Sequence, residues 1–112
     1  MGSNVFIKSG RVYTIQNAAT GTGAGNWGYK DAPLITIQSF GSTTSGTGAV
    51  VVSIEATNNT DGSYVVLGTI SLTLSTSVST DGFVVNAPWK YIRANITSIS
   101  GTGSSVTTEA CV

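Results

Sequence analysis

Apolar and polar residues alternate in short blocks along this chain, and clusters of Gly, Ser, Thr, Asn and Asp separate the blocks. A period of two marks a strand with one face toward a core, and no block sustains the 3.6-residue period of a helix. The clearest block is "AVVVSIEAT", in which Val50, Val52, Ile54 and Ala56 share one face while Val51, Ser53 and Glu55 share the other. The first set is expected inside. The pattern predicts about eight strands, over 4–7, 11–16, 34–40, 49–56, 64–74, 82–85, 90–98 and 105–111. Ile35 with Ile37, Ile70 with Leu72 and Leu74, and Ile92 with Ala94 and Ile96 make further inward stripes. Such stripes in a chain of 112 residues fit an all-β fold, a two-sheet antiparallel β-sandwich forming one domain over 1–112.

Turn chemistry punctuates the blocks. "NNTDGS" (58–63) and "STDG" (79–82) each contain Asp-Gly, which predicts tight turns holding Asp61 and Asp81. "GSTTSGTG" (41–48) and "SGTGSS" (100–105) have loop composition. The segment 17–33, "NAATGTGAGNWGYKDAP", has little alternation and reads as one long loop carrying Trp27 and Tyr29. Loops of that length in small domains are often functional or packed against something. Its "GAGNWG" matches Gly-x-Gly-x-x-Gly at Gly23, Gly25 and Gly28, but a dinucleotide site needs a helix next, and "YKDAP" offers no helical run.

Charge narrows the range of functions. The chain has five basic and five acidic residues, no net charge and 9% charged residues, against about 25% in ordinary soluble domains. Mean hydropathy is +0.23, so neutral Ser, Thr, Asn and Gly form most of the polar surface, a composition that favours association. Lys8, Arg11, Lys30, Lys90 and Arg93 are scattered, which argues against nucleic acid as a partner.

Catalytic and metal chemistry find few candidates. The chain has no His, the usual acid–base group at neutral pH. Asp31, Asp61 and Asp81 fall among loop residues, and Glu55 and Glu109 fall on the expected solvent faces of separate strands, so no carboxylate pair is set to converge. No zinc ligand set exists, Cys111 has no second cysteine to pair with, and neither cofactor nor catalytic residue is expected. No apolar run reaches the roughly 18 residues of a membrane span, and "MGSNVFIKSG" lacks signal-peptide character, so synthesis in a cytoplasm and no membrane partner are expected.

Aromatic residues remain as contact chemistry. "NAPWKYIRANIT" (86–97) puts Pro88 and Trp89 at the mouth of a strand on which Tyr91 and Arg93 share the face opposite Ile92 and Ala94. Such a face suits an opposing protein surface or is the ordinary solvent face of a sandwich strand, with Trp89 as a plug between sheets or subunits.

Together, "VVSIEATNNTDGSYVVLGTISL" and "TDGFVVNAPWKYIRANITSISGTGSSVT" resemble small virion proteins of tailed bacteriophages. The shared pattern is a strand, an Asn/Asp-Gly turn, an aromatic, "LGTI", a second Asp-Gly-Phe, and an "APWKYIRAN" strand closed by "SGTG". It spans residues 49–107 and looks most like a capsid decoration (cement) protein of jelly-roll type. The resemblance implies a non-enzymatic module on the outer capsid surface of the virion. Its partners would be the major capsid protein, whose neighbouring subunits it bridges, and its own copies in a homodimer or homotrimer. The implied contacts are Trp27, Tyr29, Trp89, Tyr91 and Arg93. An N-terminal arm within 1–10 would add Asn4, Val5, Phe6 and Ile7 to a neighbour's sheet edge. Similar modules occur in tail spikes and fibres, where Trp27 and Tyr29 would stack on host surface glycans.

Overall fold

The computed structural model of the chain describes residues 5–7, 10–30, 32–61 and 63–112. The strands are β1 (Val5–Ile7), β2 (Val12–Ala19), β3 (Gly23–Ala24), β4 (Gly28–Lys30), β5 (Leu34–Ser42), β6 (Ser45–Thr57), β7 (Val65–Leu74), β8 (Ser79–Asn86), β9 (Tyr91–Thr102) and β10 (Ser105–Cys111). Each of the eight expected blocks overlaps one of them, and β2, β6, β8 and β9 run several residues beyond theirs. The additional strands, β3 and β4, lie in the segment expected as a single loop and pair with β9. Those pairings take backbone hydrogen bonds, which a Gly-rich segment can supply without apolar alternation.

Two sheets face each other. The larger runs β1-β4-β9-β6-β7 with β3 also on β9, and the smaller runs β2-β10-β5-β8. Pairing is nested: β2 with β10, β4 with β9, β5 with β8, and β6 with β7, successive pairs going to alternate sheets. A chain doubled into one long hairpin and then rolled so that its pairs alternate between layers is a jelly roll. One pairing departs from the antiparallel rule, since β1 runs parallel to β4, with Val5, Phe6 and Ile7 opposite Gly28, Tyr29 and Lys30. The expected arm thus lies on the edge of its own sheet; Asn4 is outside the described residues.

The inward stripes meet as expected. Val50, Val52, Ile54 and Ala56 of β6, Ile70, Leu72 and Leu74 of β7, and Ile92, Ala94 and Ile96 of β9 are all buried. Opposite them stand Ile35 and Ile37 of β5, Val106 and Ala110 of β10, and Ile15 of β2. Burying a side chain of this size contributes about 1.5–3 kcal/mol each, before chain entropy is set against it.

Turn expectations fare unevenly. "NNTDGS" does connect β6 to β7, with the Asp61 amide donating to Asn59 Oδ1 at 3.3 Å. "STDG" is not a turn. Residues 79–82 lie within β8, paired with β5 from Leu34↔Asn86 to Gly41↔Ser79, and the chain reverses earlier, where the Ser77 amide donates to Ser75 Oγ at 3.3 Å. Gly82 serves a different need, because a Cβ there would strike the Ile37 carbonyl oxygen of the neighbouring strand. The two Gly-Ser-Thr stretches are also mostly strand, with Ser45 of β6 paired to Thr102 of β9.

Candidate functional site

β9 runs between β4 and β6 in the larger sheet, so its outward side chains have neighbours on both sides. Register sets the rows: Arg93 lies opposite Glu55, Asn95 opposite Ser53, and Tyr91 opposite Thr57, while on the other side Tyr91 lies opposite Tyr29. Paired residues point to the same face, so these side chains share the outer surface of the sheet.

At its centre is an ion pair. Arg93 Nε donates to Glu55 Oε1 at 2.7 Å, and Asn95 Nδ2 donates to Glu55 Oε2 at 3.0 Å. The Arg93 guanidinium lies 4.3 Å from the Trp27 ring centroid and 4.8 Å from that of Tyr64. These are favourable cation–π distances. Glu55 is therefore only 2% exposed, and the expectation of a solvent-facing glutamate is overturned. Alternation placed it on the outer face correctly; what it could not show is that Arg93, Trp27 and Tyr64 cover that part of the face.

The aromatic strip continues sideways. Tyr29 and Tyr91 meet with centroids 5.5 Å apart and planes tilted by 58°, and Lys90 Nζ lies 5.9 Å from the Tyr29 centroid. Tyr64 and Val66 project at 46% and 55% exposure. The β6–β7 turn that presents Tyr64 is tied down: the Asn59 amide donates to Thr57 Oγ1 at 3.1 Å, and the Lys90 amide donates to Asn58 Oδ1 at 3.2 Å. The strip is consequently held at both ends, by β4 and by this turn.

Of the residues singled out from sequence, Tyr29, Tyr91 and Arg93 come together on this strip, and Trp27 joins them. Trp27 is 9% exposed, its ring covered by Arg93. Trp89 is not on the strip; it is half-buried in the connector before β9 and packs against the core. β1 abuts β4 at the strip's edge. Glu55, Asn95, Tyr64 and Val66 were missed. The signal for Glu55 was present in its register with Arg93, but register is not readable before pairing is known. Tyr64 and Val66 share the parity of the inward Ile70, Leu72 and Leu74, but the register shift opposite Ile54 and Glu55 turns them to the outer face.

The other acids stand apart. Asp61 is exposed in the β6–β7 turn, Asp81 is exposed on β8, and Glu109 lies on β10 of the smaller sheet; Asp31 is outside the described residues. Among the described residues no group of three or more His, Cys, Asp or Glu side chains gathers where a metal ion could be held. What the strip offers is contact chemistry: flat rings, exposed Val66, and one guanidinium whose charge is matched by the carboxylate beneath it. Comparison of the chain with protein-family models, with curated proteins and with solved structures finds no match.

Proposed function

We propose that this jelly roll is a virion structural protein that decorates the outer surface of a tailed-bacteriophage head and cements it by bridging neighbouring major capsid subunits. The observation that carries this reading is the Trp27–Arg93–Tyr64 stack with Tyr29, Tyr91 and Val66 beside it, a firmly supported aromatic strip on one outer face. Rigid aromatics around a charge-compensated centre are the composition of a protein-binding surface. The residues that resemble phage virion proteins build this same strip, since "APWKYIRAN" supplies Tyr91 and Arg93 and "SIEATNNTDGSYVV" supplies Glu55, Tyr64 and Val66. β1 supports a role for the N-terminal segment: a strand that joins the β4 ladder in its own sheet is suited to join the β4 of another copy, linking a homodimer or homotrimer. The tail-module alternative loses part of its chemistry, because Trp27 is 9% exposed under Arg93 and offers no open ring to a glycan.

Co-sedimentation with phage heads stripped of their decoration tests the proposal. Binding should saturate and persist at high salt, where exposed charge pairs are screened. Val66→Lys on the strip should weaken it at least tenfold, whereas Val84→Lys on the exposed face of the smaller sheet should not. Absent binding, or equal loss from both variants, refutes the assignment.

A further inference from the structure

Four strands border the two sheets, β1 and β7 in the larger and β2 and β8 in the smaller. Three of them carry features that hinder the addition of a further strand. β1 has three residues. β2 is interrupted by two register shifts against β10 and by Ala18 at φ 48°. β7 has a register shift beside Glu55, and its Thr73 carbonyl already accepts from Ser79 Oγ at 2.8 Å. β8 differs: its eight residues pair with β5 without a shift, and 79–86 hold no Lys, Arg or Pro. Pairing also fixes which of its backbone groups are open. The Ala87 amide donates to Pro33 O at 2.8 Å, one step beyond the Leu34↔Asn86 pair, so the odd-numbered residues turn their N–H and C=O groups to β5. Thr80, Gly82, Val84 and Asn86 turn theirs to the outer edge, where no described strand lies. Gly82 fits this pattern, since its N–H donates to Asp81 Oδ1 at 2.8 Å.

We propose that two copies of this chain join through β8, paired antiparallel about a two-fold axis at Phe83. The four open residues are spaced evenly about Phe83, the condition for a strand to pair fully with its own copy. Thr80 then lies opposite Asn86 of the other copy and Gly82 opposite Val84, so every open residue meets an open residue. A two-fold axis also brings like residues together. Here they are the half-buried Phe83 rings, each already against Gly68 of β7, and aromatic pairs suit cross-strand contact. Asp81, the one charged residue of β8, falls opposite Val85 and away from its own copy. Val84 points to solvent beside the bare Gly82, which leaves room for a longer side chain there. β7 packs on both β5 and β8, so it lies above their sheet and does not block the edge. The axis is normal to the sheet: two four-stranded sheets become one of eight, and both larger sheets stand on the same side of it. Under the capsid reading, on which this consequence alone rests, the two aromatic strips face one head and reach two capsid subunits.

The experiment is sedimentation velocity of the isolated protein over about 1–500 µM. A single strand edge makes a small interface, so monomer should give way to dimer at about 10–100 µM. Val84→Pro removes an open N–H without touching the β5 ladder and should weaken dimerisation at least tenfold, with far-UV circular dichroism unchanged. Asp81→Ala frees the Gly82 N–H and should strengthen dimerisation several-fold. Cross-linking reads the register in a Cys111→Ser background. Thr80→Cys and Asn86→Cys in one chain should give a disulfide-linked dimer under oxidised glutathione, whereas either alone should not, because its sulfur then faces a residue without one. A monomer throughout the range, a dimer that Val84→Pro leaves intact, or single-cysteine variants that cross-link as well as the double variant each overturns the proposal. So does a double variant that links to capsid protein and never to itself, which would give the edge to a foreign strand. Head binding is read separately by co-sedimentation, so either reading can fail without the other.

Discussion

Replacing Arg93 with alanine tests whether the strip is a structural unit or a set of independent surface residues. The variant leaves the Glu55 carboxylate, 2% exposed, with Asn95 as its remaining partner. Removing one member of a buried pair costs about 3–5 kcal/mol, because the other charge stays desolvated. Arg93 itself is 20% exposed, so part of that penalty is relieved by water, and about 2–3 kcal/mol is the appropriate share. Loss of the contacts with Trp27 and Tyr64 adds about 0.5–1 kcal/mol for each ring. The total is about 3–5 kcal/mol, a large part of the roughly 5–15 kcal/mol that holds a domain folded. With a urea dependence of about 2 kcal/mol per molar, the unfolding midpoint should fall by about 1.5–2.5 M, read by tryptophan fluorescence and far-UV circular dichroism. Two controls separate the causes. A cycle with Glu55→Gln should return a coupling above about 1 kcal/mol, and the double variant Arg93→Leu, Glu55→Met should lose less than Arg93→Ala alone, since no charge is left stranded. A midpoint shift below about 0.5 M, or a coupling indistinguishable from zero, refutes the reasoning.

Two further outcomes follow from the packing. Gly82→Ala should lower stability by about 1–3 kcal/mol, because its methyl group meets the Ile37 carbonyl oxygen, whereas Gly21→Ala, with open space around it, should change stability by less than about 0.5 kcal/mol; thermal denaturation of the two variants decides. Burial pulls the Lys30 ammonium below its ordinary value of 10.5, so the unfolded chain holds more protons just below that pH and stability should rise as pH approaches it. Lys30→Met should remove this gain, measured as a shallower rise in urea midpoint with alkaline pH than in the parent protein; equal slopes would show that Lys30 keeps its proton as readily folded as unfolded.

Alternation was enough to place the sandwich core, because a strand packed on one face leaves a period-two record in its own sequence. Val50, Val52, Ile54 and Ala56, with Ile92, Ala94 and Ile96, could be assigned to the interior without knowing their partners. β3 and β4 left no such record: Gly23, Ala24 and Gly28 contribute backbone rather than side-chain burial. Asp81-Gly82 misled because the same dipeptide serves a tight turn and a close approach between strands, and only the neighbouring backbone distinguishes them. The site was half legible. Tyr91 and Arg93 could be put on one face from their spacing, but that Glu55 is covered and that Tyr64 reaches Arg93 depend on which strands become neighbours. Trp89, expected as a plug between sheets or subunits, is half-buried against the core of its own sandwich.

The nested pairing also governs how the molecule comes to exist. β10 lies between β2 and β5, so the smaller sheet cannot close until Val12 has found Cys111 across nearly the whole chain. Folds built on such distant pairings assemble over milliseconds to seconds rather than microseconds. Throughout that interval β2 and β5 each present an open ladder edge to other copies, on a chain with no net charge to keep them apart. Whether newly made chains become sandwiches or aggregates is therefore a race between the docking of one strand and the next collision, and the stability of the finished fold has no part in deciding it.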